Sequence, residues 1–427
     1  MCYGILLGAD LHADFRQIPA SARVDPSSLP FHRHPTGSET AAVAVTLFHL
    51  GSVDSYRQVW ADDAWDGDHG RRCRKAEQRV ELPILSALIE HEDTGEKWLW
   101  DLGMCNDFDV LPTAFSNGSV KAITPRLSDR GQLKNVLLDL FNVNSIEEVG
   151  LTGIFLSHAH VDHYGNLLDF PNAVPVFVGS GTLGWIGGGE DAAKRGEAGH
   201  LYFPSSFLKD RVFIEMHDVE SKADDVVKAR VRQTKVGPFD RAWDWFGDGS
   251  VVIASAEGHC HGHIVLLART SPGPRPSYVL LSGDAAHQQA LYHPLPPPLE
   301  LDGELLSGPG DVTSSYSTTY GAEHDQRATP GFFDSQSSEA ITDRLVPDGE
   351  ATCMQEFPDK AMRTIAALSR MEACADVMVI LAHEIEFAES VGLREGSRIS
   401  VNGWREKGYK EGKIETGKRA REFLESL

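Results

Sequence analysis

The chain has 427 residues, of which 41% are hydrophobic and 24% charged, and its formal net charge is −22 at pH 7. A chain of this length can bury a large core, and an acidic surface repels phosphate backbones, so we expect no nucleic-acid partner. The sequence contains no run of about 20 apolar residues, so we expect no membrane-spanning helix and no membrane partner.

The cysteines and the first residues indicate the compartment. Six cysteines are scattered along the chain, and no two of them form a CxxC pair. In a long chain this pattern is typical of reduced thiols rather than of a disulfide framework. The first residues, MCYGILLGADLHADF, have no basic segment before their apolar patch, unlike a signal peptide. We therefore predict a cytoplasmic protein; the sequence indicates no oligomeric state.

The chain alternates between two kinds of apolar pattern. Residues 1–38 have weak periodicity and several prolines, and we predict an irregular extension before a single domain at 39–427. Apolar spacing typical of amphipathic helices occurs at 131–143 and 358–374, and a charged helix is predicted at the C-terminus. A Pro-, Gly- and Ser-rich insert at about 287–358 predicts a loop or lid. Short β-type runs predict strands at 41–52, 82–103 (a hairpin around EDTGE), 147–158, 174–180, 210–218, 250–259, 263–270, 277–285 and 375–384.

Several predicted strands end in an acid or a histidine. The end of a strand is where a rigid sheet can hold side chains in fixed geometry while the loops vary. The sequence therefore predicts a functional site at the edge of a sheet. The residues at these strand ends are Asp101, His158, His259, Asp284 and His383.

The strand that ends at His158 runs into the densest of these patterns, His-Ala-His-Val-Asp-His at 158–163. Neutral imidazoles and carboxylates are the ligands of zinc and similar divalent metals. Alternate residues of an extended segment share one face, so His158 and His160 can hold one metal ion. The turn that follows directs Asp162 and His163 toward a second position.

His-x-His-x-Asp-His at the end of an apolar strand resembles the signature of the metallo-β-lactamase superfamily. The other motifs of that superfamily follow in order, as Asp101 in LWDLG, His259 in AEGHCHGH, Asp284 in LLSGDAA and His383 in VILAHEIE. The resemblance implies an α/β fold of the αβ/βα four-layer sandwich type. In it, two mixed β-sheets pack face to face, helices cover the outside, and the metals lie at the sheet edge.

The same resemblance implies two divalent metal ions, with zinc as the expected metal, and a role for each matching residue. Asp101 would support the metal loop by hydrogen bonds, and His263 would pack beside the site. His261 is the alternative to His259, although it stands where the superfamily often has proline. The implied ligands are His158, His160 and His259 for the first metal, Asp162, His163 and His383 for the second, and Asp284 between the two.

This metal set predicts hydrolysis. A hydroxide shared by two metals is a nucleophile at neutral pH, and Asp162 would orient it and take its proton. Asp284 distinguishes the chain from true β-lactamases, and His160 stands where the diiron reductases of the superfamily have glutamate. The best resemblance is to the lactonase branch. We therefore predict a small-molecule hydrolase that opens a cyclic ester, of acyl-homoserine-lactone type, by attack of a metal-bridging hydroxide.

Candidate substrate contacts lie after Asp284 and in two aromatic segments. The lactonase branch usually carries tyrosine where this chain has His287, which we expect to donate a hydrogen bond to a developing oxyanion. Tyr292 is a second candidate for that role. An aromatic wall of the substrate pocket is predicted from four residues whose alternative role is core packing, namely Trp185, Trp243, Trp245 and Phe246.

Three alternatives stay open. The same metals could open a cyclic amide or carbamate, of γ-lactam or benzoxazolinone type, in xenobiotic detoxification. A thioesterase of glyoxalase or acyl-carrier type is the next, since the basic run KGYKEGKIETGKRAR at 407–421 could hold glutathione or simply be a solvated helix. A binding module without activity is disfavoured by the complete ligand set.

Overall fold

The computed structural model describes residues 16–18, 24, 28–35, 37–56, 79–111, 125–187, 203–287, 289, 292, 306, 351–353 and 356–426. Most of the predicted N-terminal extension and of the 287–358 insert lies outside the described residues, so the domain bounds stay predictions. Within the described part of the chain, no helix is both long and apolar enough to cross a membrane.

Strands β1 to β16 are, in chain order, Arg16–Ile18, Val43–Tyr56, Arg79–His91, Lys97–Trp100, Pro125–Arg126, Leu151–Phe155, Val176–Val178, Phe213–Glu215, Arg232–Val236, Phe239–Asp244, Val251–Ser255, Ile264–Ser271, Ser277–Leu281, Ala351–Cys353, Val377–Ile380 and Arg398–Ser400. Helices α1 to α10 are Leu133–Phe141, Ile146–Val149, Val161–Tyr164, Thr182–Ile186, Ser205–Leu208, Val219–Lys222, Asp225–Arg230, Pro358–Ala373, Ile385–Ser390 and Tyr409–Ser426. Short 3₁₀ helices form at Asp129–Gly131, Leu167–Asp169 and Met216–Asp218.

Two mixed sheets form the centre of the molecule. The larger has the order β16-β2-β3-β4-β6-β7-β8, with β5 paired to β2, and the smaller has the order β15-β13-β12-β11-β10-β9. Strands β4, β6, β7 and β8 pair in parallel, and so do β13 and β15, whereas the other pairs within these two sheets are antiparallel. A short separate ladder joins β1 to β14.

Three apolar clusters define the layers. One cluster lies between the sheets and combines residues such as Trp98 and Phe155 of the larger sheet with Trp243 and Ile253 of the smaller. A second covers the outer face of the larger sheet and includes residues of α1 and α2, and a third covers the smaller sheet and includes residues of α8. Each sheet thus buries both faces, and the predicted αβ/βα sandwich is confirmed.

The element predictions mostly hold, with two corrections. The strand predicted from residue 147 begins at Leu151, because the preceding residues form α2 and end at Gly150 in a left-handed conformation (φ 69°). No strand is predicted between residues 218 and 250, yet β9 and β10 form there. The segment 239–244 is in fact strand β10, and β9 lies at the edge of the sheet with charged, exposed side chains that hide its alternation.

Candidate metal centre

The sheet topology brings the predicted site residues to one edge of the sandwich. Strands β4 and β6 run parallel in the larger sheet, so the loops after their carboxyl ends are neighbours. In the smaller sheet β11, β13 and β15 run in one direction. The two edges meet where the Ile264 N–H donates to the Ser157 carbonyl at 2.9 Å. Five separate loops therefore supply side chains to one buried cluster.

His158, His160 and His259 form the first group. The Nδ1 atom of His160 lies 2.9 Å from Nε2 of His158 and 3.0 Å from Nε2 of His259. All three side chains are buried, and burial together with the neighbouring imidazoles holds the pKa of each well below its usual value. The three rings are therefore neutral, which is the form that binds a metal.

Asp162, His163 and His383 form the second group. Nε2 of His383 lies 3.3 Å from Oδ2 of Asp162, and Nε2 of His163 lies 3.9 Å from Oδ1 of the same carboxylate. Burial opposes the ionisation of Asp162, but His163 and His383 outweigh it and lower its pKa. The second group thus offers an ionised carboxylate and two ring nitrogens.

Asp284 lies between the two groups and directs one oxygen to each. Its Oδ1 lies 3.3 Å from Nε2 of His163 and 3.4 Å from Nε2 of His383. Its Oδ2 lies 3.8 Å from Nε2 of His158 and 3.6 Å from Nε2 of His259. Burial opposes the charge on Asp284, but the facing imidazoles, His163 first, hold its pKa well below the usual value. A single ionised carboxylate can thus serve both groups.

Asp101 orients the loop between the two groups. It follows β4 with φ 54°, and its Oδ2 accepts hydrogen bonds from Nδ1 of His163 (2.9 Å) and the Ser157 hydroxyl (2.7 Å). Its Oδ1 accepts from the Ser157 N–H at 2.7 Å. The bond to Nδ1 leaves Nε2 of His163 directed at Asp284, and such a partner fixes both the tautomer and the orientation of a metal-binding histidine. Ser157 was not singled out from the sequence, since a serine before the motif carries no distinctive pattern.

The end of β4 explains how His383 reaches the larger sheet. Strand β4 ends at Trp100, opposite Ala87, so the earlier residues of β3 have no partner on that side. The loop after β15 occupies this position. Leu85 donates its N–H to the Ala382 carbonyl at 3.0 Å, and Nδ1 of His383 donates to the Pro83 carbonyl at 2.8 Å. The His383 ring is thus fixed with Nε2 toward the acids.

The neighbours of Asp284 hold its backbone in place. Nε2 of His263 accepts the Asp284 N–H at 3.1 Å, so this histidine holds the backbone of Asp284. Gly283 adopts φ 53°, and a Cβ atom there would lie 2.7 Å from Cβ of Ser157. Only glycine allows both this conformation and this close approach between the two sheets.

His287 lies beside the cluster. Its Nε2 is 3.5 Å from Oδ2 of Asp284, and its ring centroid is 5.0 Å from that of His259. His261, in contrast, is exposed and stands edge-on to the Phe357 ring at 4.7 Å. The Cys260 thiol lies near the first group, where its sulfur and the nitrogens of His158, His160 and His259 are all within 4.8 Å of one another. The sequence predicts only a reduced thiol at this position.

The predicted aromatic wall is wrong for three of its four residues. Trp243, Trp245 and Phe246 are buried in the cluster between the sheets, where the Trp245 ring stands edge-on to Trp98 at 5.2 Å. The inward face of β10 points to the other sheet, so these rings cannot contact a substrate. Trp185 is also buried, in the cluster on the outer face of the larger sheet, but its ring centroid lies 5.9 Å from that of His160. It belongs to α4, whose first N–H groups, from Gly181 and Leu183, donate to Glu215.

Tyr292 is also misplaced as a substrate contact. Its side chain is fully buried, and its hydroxyl donates to Oε1 of Glu384 at 2.7 Å. That hydroxyl in turn accepts a hydrogen bond from Lys413 at 2.9 Å. Tyr292 is therefore part of a network beneath the site.

The donor set fits divalent metal ions. Five imidazole nitrogens and two carboxylates converge in a buried volume, and the Nδ1 atoms of His163 and His383 are held by Asp101 and the Pro83 carbonyl. Nitrogen and carboxylate oxygen together suit zinc. Carboxylates and imidazoles that are buried together without an ion would be costly, so the arrangement is what a metal centre requires.

The chain is similar in sequence to curated metallo-hydrolases and lactamases. The chain is 30% identical over 198 residues to "Gamma-lactamase MBL2" of Gibberella moniliformis, a match that covers 46% of this chain and 74% of that protein. It is 26% identical over 336 residues to "Metallo-hydrolase mfmC" of Annulohypoxylon moriforme. That match covers 77% of this chain and 76% of that protein. No family model matches the chain.

Two further matches are to a much longer protein and to a solved structure. The chain is 26% identical over 409 residues to "Cytochrome P450 monooxygenase mpaDE'" of Penicillium brevicompactum and spans 40% of its length. A solved structure of an N-acyl homoserine lactone hydrolase superposes with a TM-score of 0.45 and 16% identity, over 83% of this chain and 97% of that one.

Proposed function

This chain belongs to the metallo-β-lactamase superfamily. We propose that it is a hydrolase that uses two divalent metal ions, with zinc as the expected metal, to open a small cyclic acyl substrate. The observation that carries the proposal is the position of Asp284, whose two oxygens face two separate groups of ligands. His158, His160 and His259 would hold one ion. Asp162, His163 and His383 would hold the other.

For the substrate class, we place the cyclic amide or carbamate ahead of the lactone. The 30% identical relative carries the name gamma-lactamase. The chemistry of His287 supports the same order. An amide nitrogen is a poor leaving group and must be protonated as it departs. Burial lowers the pKa of His287, so the ring, once it has taken up a proton, is a strong proton donor beside Asp284. A lactone, which was the first expectation from the sequence, is the second candidate, because the same site can open an ester.

Each residue then has a defined task. When bound, divalent metals would lower the pKa of a coordinated water to about 7 and polarise the substrate carbonyl. Asp162 would accept the proton that the attacking water gives up, and its later release would reprotonate His287. Once protonated, His287 would donate a proton from Nε2 to the leaving nitrogen, and Trp185 would form one wall beside His160. Burial of the cluster excludes bulk water and strengthens each of these electrostatic interactions.

The glyoxalase form of the thioesterase alternative loses part of its support, because two lysines of the basic run are buried. It rested on the basic run at 407–421 as a site for glutathione. Lys410 and Lys413 of that run are buried, and their ammonium groups bond to the protein interior. They are therefore unable to bind a ligand at the surface.

A substrate panel tests the proposal. Proton release would be measured at neutral pH with γ-lactams, benzoxazolinone-type carbamates, γ- and δ-lactones, acyl-homoserine lactones and glutathione thioesters. We expect turnover of the cyclic amides or carbamates, and none by the His160→Ala variant. Turnover of lactones alone would overturn the order of the two substrate classes. A protein that binds no zinc or turns over no member of the panel would overturn the proposal.

A further inference from the structure

The C-terminal helix α10 buries two lysines against the smaller sheet. Lys410 is 7% exposed and Lys413 is 0% exposed. A buried ammonium is costly unless it is paired and hydrogen-bonded. The hydrogen-bond partners of each ammonium therefore show which segments that lysine stabilises.

Lys413 bonds to two segments that flank the metal centre. Its Nζ donates to the Tyr292 hydroxyl at 2.9 Å and lies 3.3 Å from Oε1 of Glu384. It also donates to the Val379 carbonyl at 2.5 Å and lies 3.1 Å from Oε1 of Glu372. Tyr292 follows Asp284 and His287 in the chain, and Glu384 is the residue after His383. One ammonium thus contacts both of the chain segments that leave β13 and β15.

Each of these contacts is tied to a loop of the site. Oε2 of Glu384 accepts the N–H of Leu381 at 2.9 Å, so the side chain folds back over the loop that carries His383. The Tyr292 hydroxyl donates to the other oxygen of the same carboxylate at 2.7 Å. The helix also approaches the first segment closely. A Cβ atom on Gly417 would lie 1.8 Å from the Oε1 atom of Gln289, which is itself buried.

Lys410 provides a contrast within the same helix. Its Nζ donates to the carbonyls of Glu372, Cys374 and Val377 at 2.6, 2.9 and 2.6 Å. These groups lie at the end of α8 and the start of β15, away from the loops that carry Asp284 and His383. Lys410 therefore anchors the helix through these three carbonyls, none of which belongs to Tyr292 or Glu384.

We propose that Lys413 is a positioning residue that couples the loop of Asp284 and His287 to the loop of His383, and so sets the geometry of the second metal position. The inference rests on the proposed function. Asp284 and His383 come from different loops, and Nε2 of His383 lies 3.4 Å from Oδ1 of Asp284. Without Lys413, the Tyr292 hydroxyl, the Val379 carbonyl and the side chain of Glu384 would lose the donor that they share. Glu384 and the histidine beside it would then no longer be held in one position.

Burial by itself would favour the neutral amine at Lys413. The carboxylates of Glu372 and Glu384 outweigh that effect and raise the pKa of Lys413 above its usual value. The ammonium is therefore charged at neutral pH and can act as the link.

The experiment compares Lys413→Met with Lys410→Met in the metal-loaded protein. Zinc affinity at each of the two positions would be measured by competition with a chromophoric chelator, and Tm would be measured beside it. We expect Lys413→Met to weaken the second equivalent by roughly 10- to 100-fold, as loss of a supporting group around a metal ligand does, and to leave the first unchanged. Lys410→Met should lower Tm by a similar amount and keep both affinities.

Tyr292→Phe removes the hydroxyl that joins Lys413 to Glu384 and leaves both of those side chains in place. This variant tests the proposal if Lys413→Met does not fold. We expect the same selective loss at the second position, smaller in size. Suppose that the wild-type protein binds two zinc ions. The inference is then overturned if the variants bind both ions equally well, or if they lose both affinities together, and the proposed function stays intact. Wild-type protein that binds no zinc would overturn both.

Discussion

Nε2 of His287 lies 3.5 Å from Oδ2 of Asp284, the same oxygen that faces His158 and His259. His287 therefore stands on the side of the first ligand group rather than the second. A substrate carbonyl held at that side would place its leaving atom within reach of the imidazole. His287 is therefore not a solvent-exposed loop residue. Its role can be tested with substrates that differ in their leaving group.

His287→Ala should slow amide opening more than ester opening. Proton donation by a positioned side chain contributes roughly 10²- to 10⁴-fold, and a poor nitrogen leaving group needs it most. We expect kcat to fall by about 10²-fold on a cyclic amide and much less on a lactone with an acidic alcohol leaving group. The measurement is kcat and KM over a series of leaving-group pKa values. His261→Ala is the matched control, since that ring is exposed and packs on Phe357; equal losses on all substrates would contradict the role.

Asp101→Asn should weaken metal binding at the second position. The carboxylate accepts from Nδ1 of His163, and an amide in its place would present a second donor or lose one of the Ser157 bonds. Loss of such a supporting group typically costs roughly 10- to 100-fold in metal affinity. Metal content after dialysis against graded chelator would show the change. Ser157→Ala, which keeps the carboxylate, should lose less; unchanged zinc retention in Asp101→Asn would count against the arrangement.

Trp185→Ala should raise KM. The ring lies 5.9 Å from His160, and removal of an aromatic wall forfeits part of the roughly 1.5–3 kcal/mol that burial of a large apolar group contributes. We expect KM to rise by about 10-fold while kcat changes little. Trp245→Phe is the control, because that ring lies between the sheets and its loss should lower Tm without affecting KM. A Trp185→Ala enzyme with normal KM would remove this residue from the substrate site.

His34 should make folding sensitive to mild acid. Its ring is buried beside Tyr278, and burial lowers its pKa to about 3. Above pH 6.5 the ring is neutral in both the folded and unfolded chain, so its contribution is fully present there. As the pH falls below 6.5 only the unfolded chain takes up the proton, and stability falls by up to about 1.4 kcal/mol per pH unit.

The measurement is the free energy of unfolding of the metal-loaded protein in urea at pH 7 and pH 5. Wild type should lose about 2 kcal/mol more than His34→Gln over this interval. His32→Gln, whose ring is partly exposed on Asp240, should not reproduce the effect. Parallel losses in wild type and His34→Gln would show that another group is responsible.

The candidate ligands could be named from the sequence because their signal is local. The spacing His-x-His-x-Asp-His, and single acids or histidines at the ends of apolar strands, depend on a few adjacent residues each. The resemblance to a known superfamily then ordered them into two groups. The structure brings all of these residues to one edge, since the strands that precede them in each sheet point the same way.

The errors arose where burial depends on distant segments. An aromatic residue such as Trp243 or Trp245 can either line a pocket or fill a core, and the sequence does not distinguish the two. The larger sheet packs against β10, and this packing places both rings in the core. Lys410 and Lys413 carry the charge pattern of a solvated helix. They are buried because α10 docks beneath β15, where carbonyls and two glutamates compensate their charge. The sequence by itself determined which chemical groups the site can use, since spacing within a strand end is a local property. Only the tertiary structure decided which aromatic and charged side chains face that site, because burial is set by whichever segment packs against them.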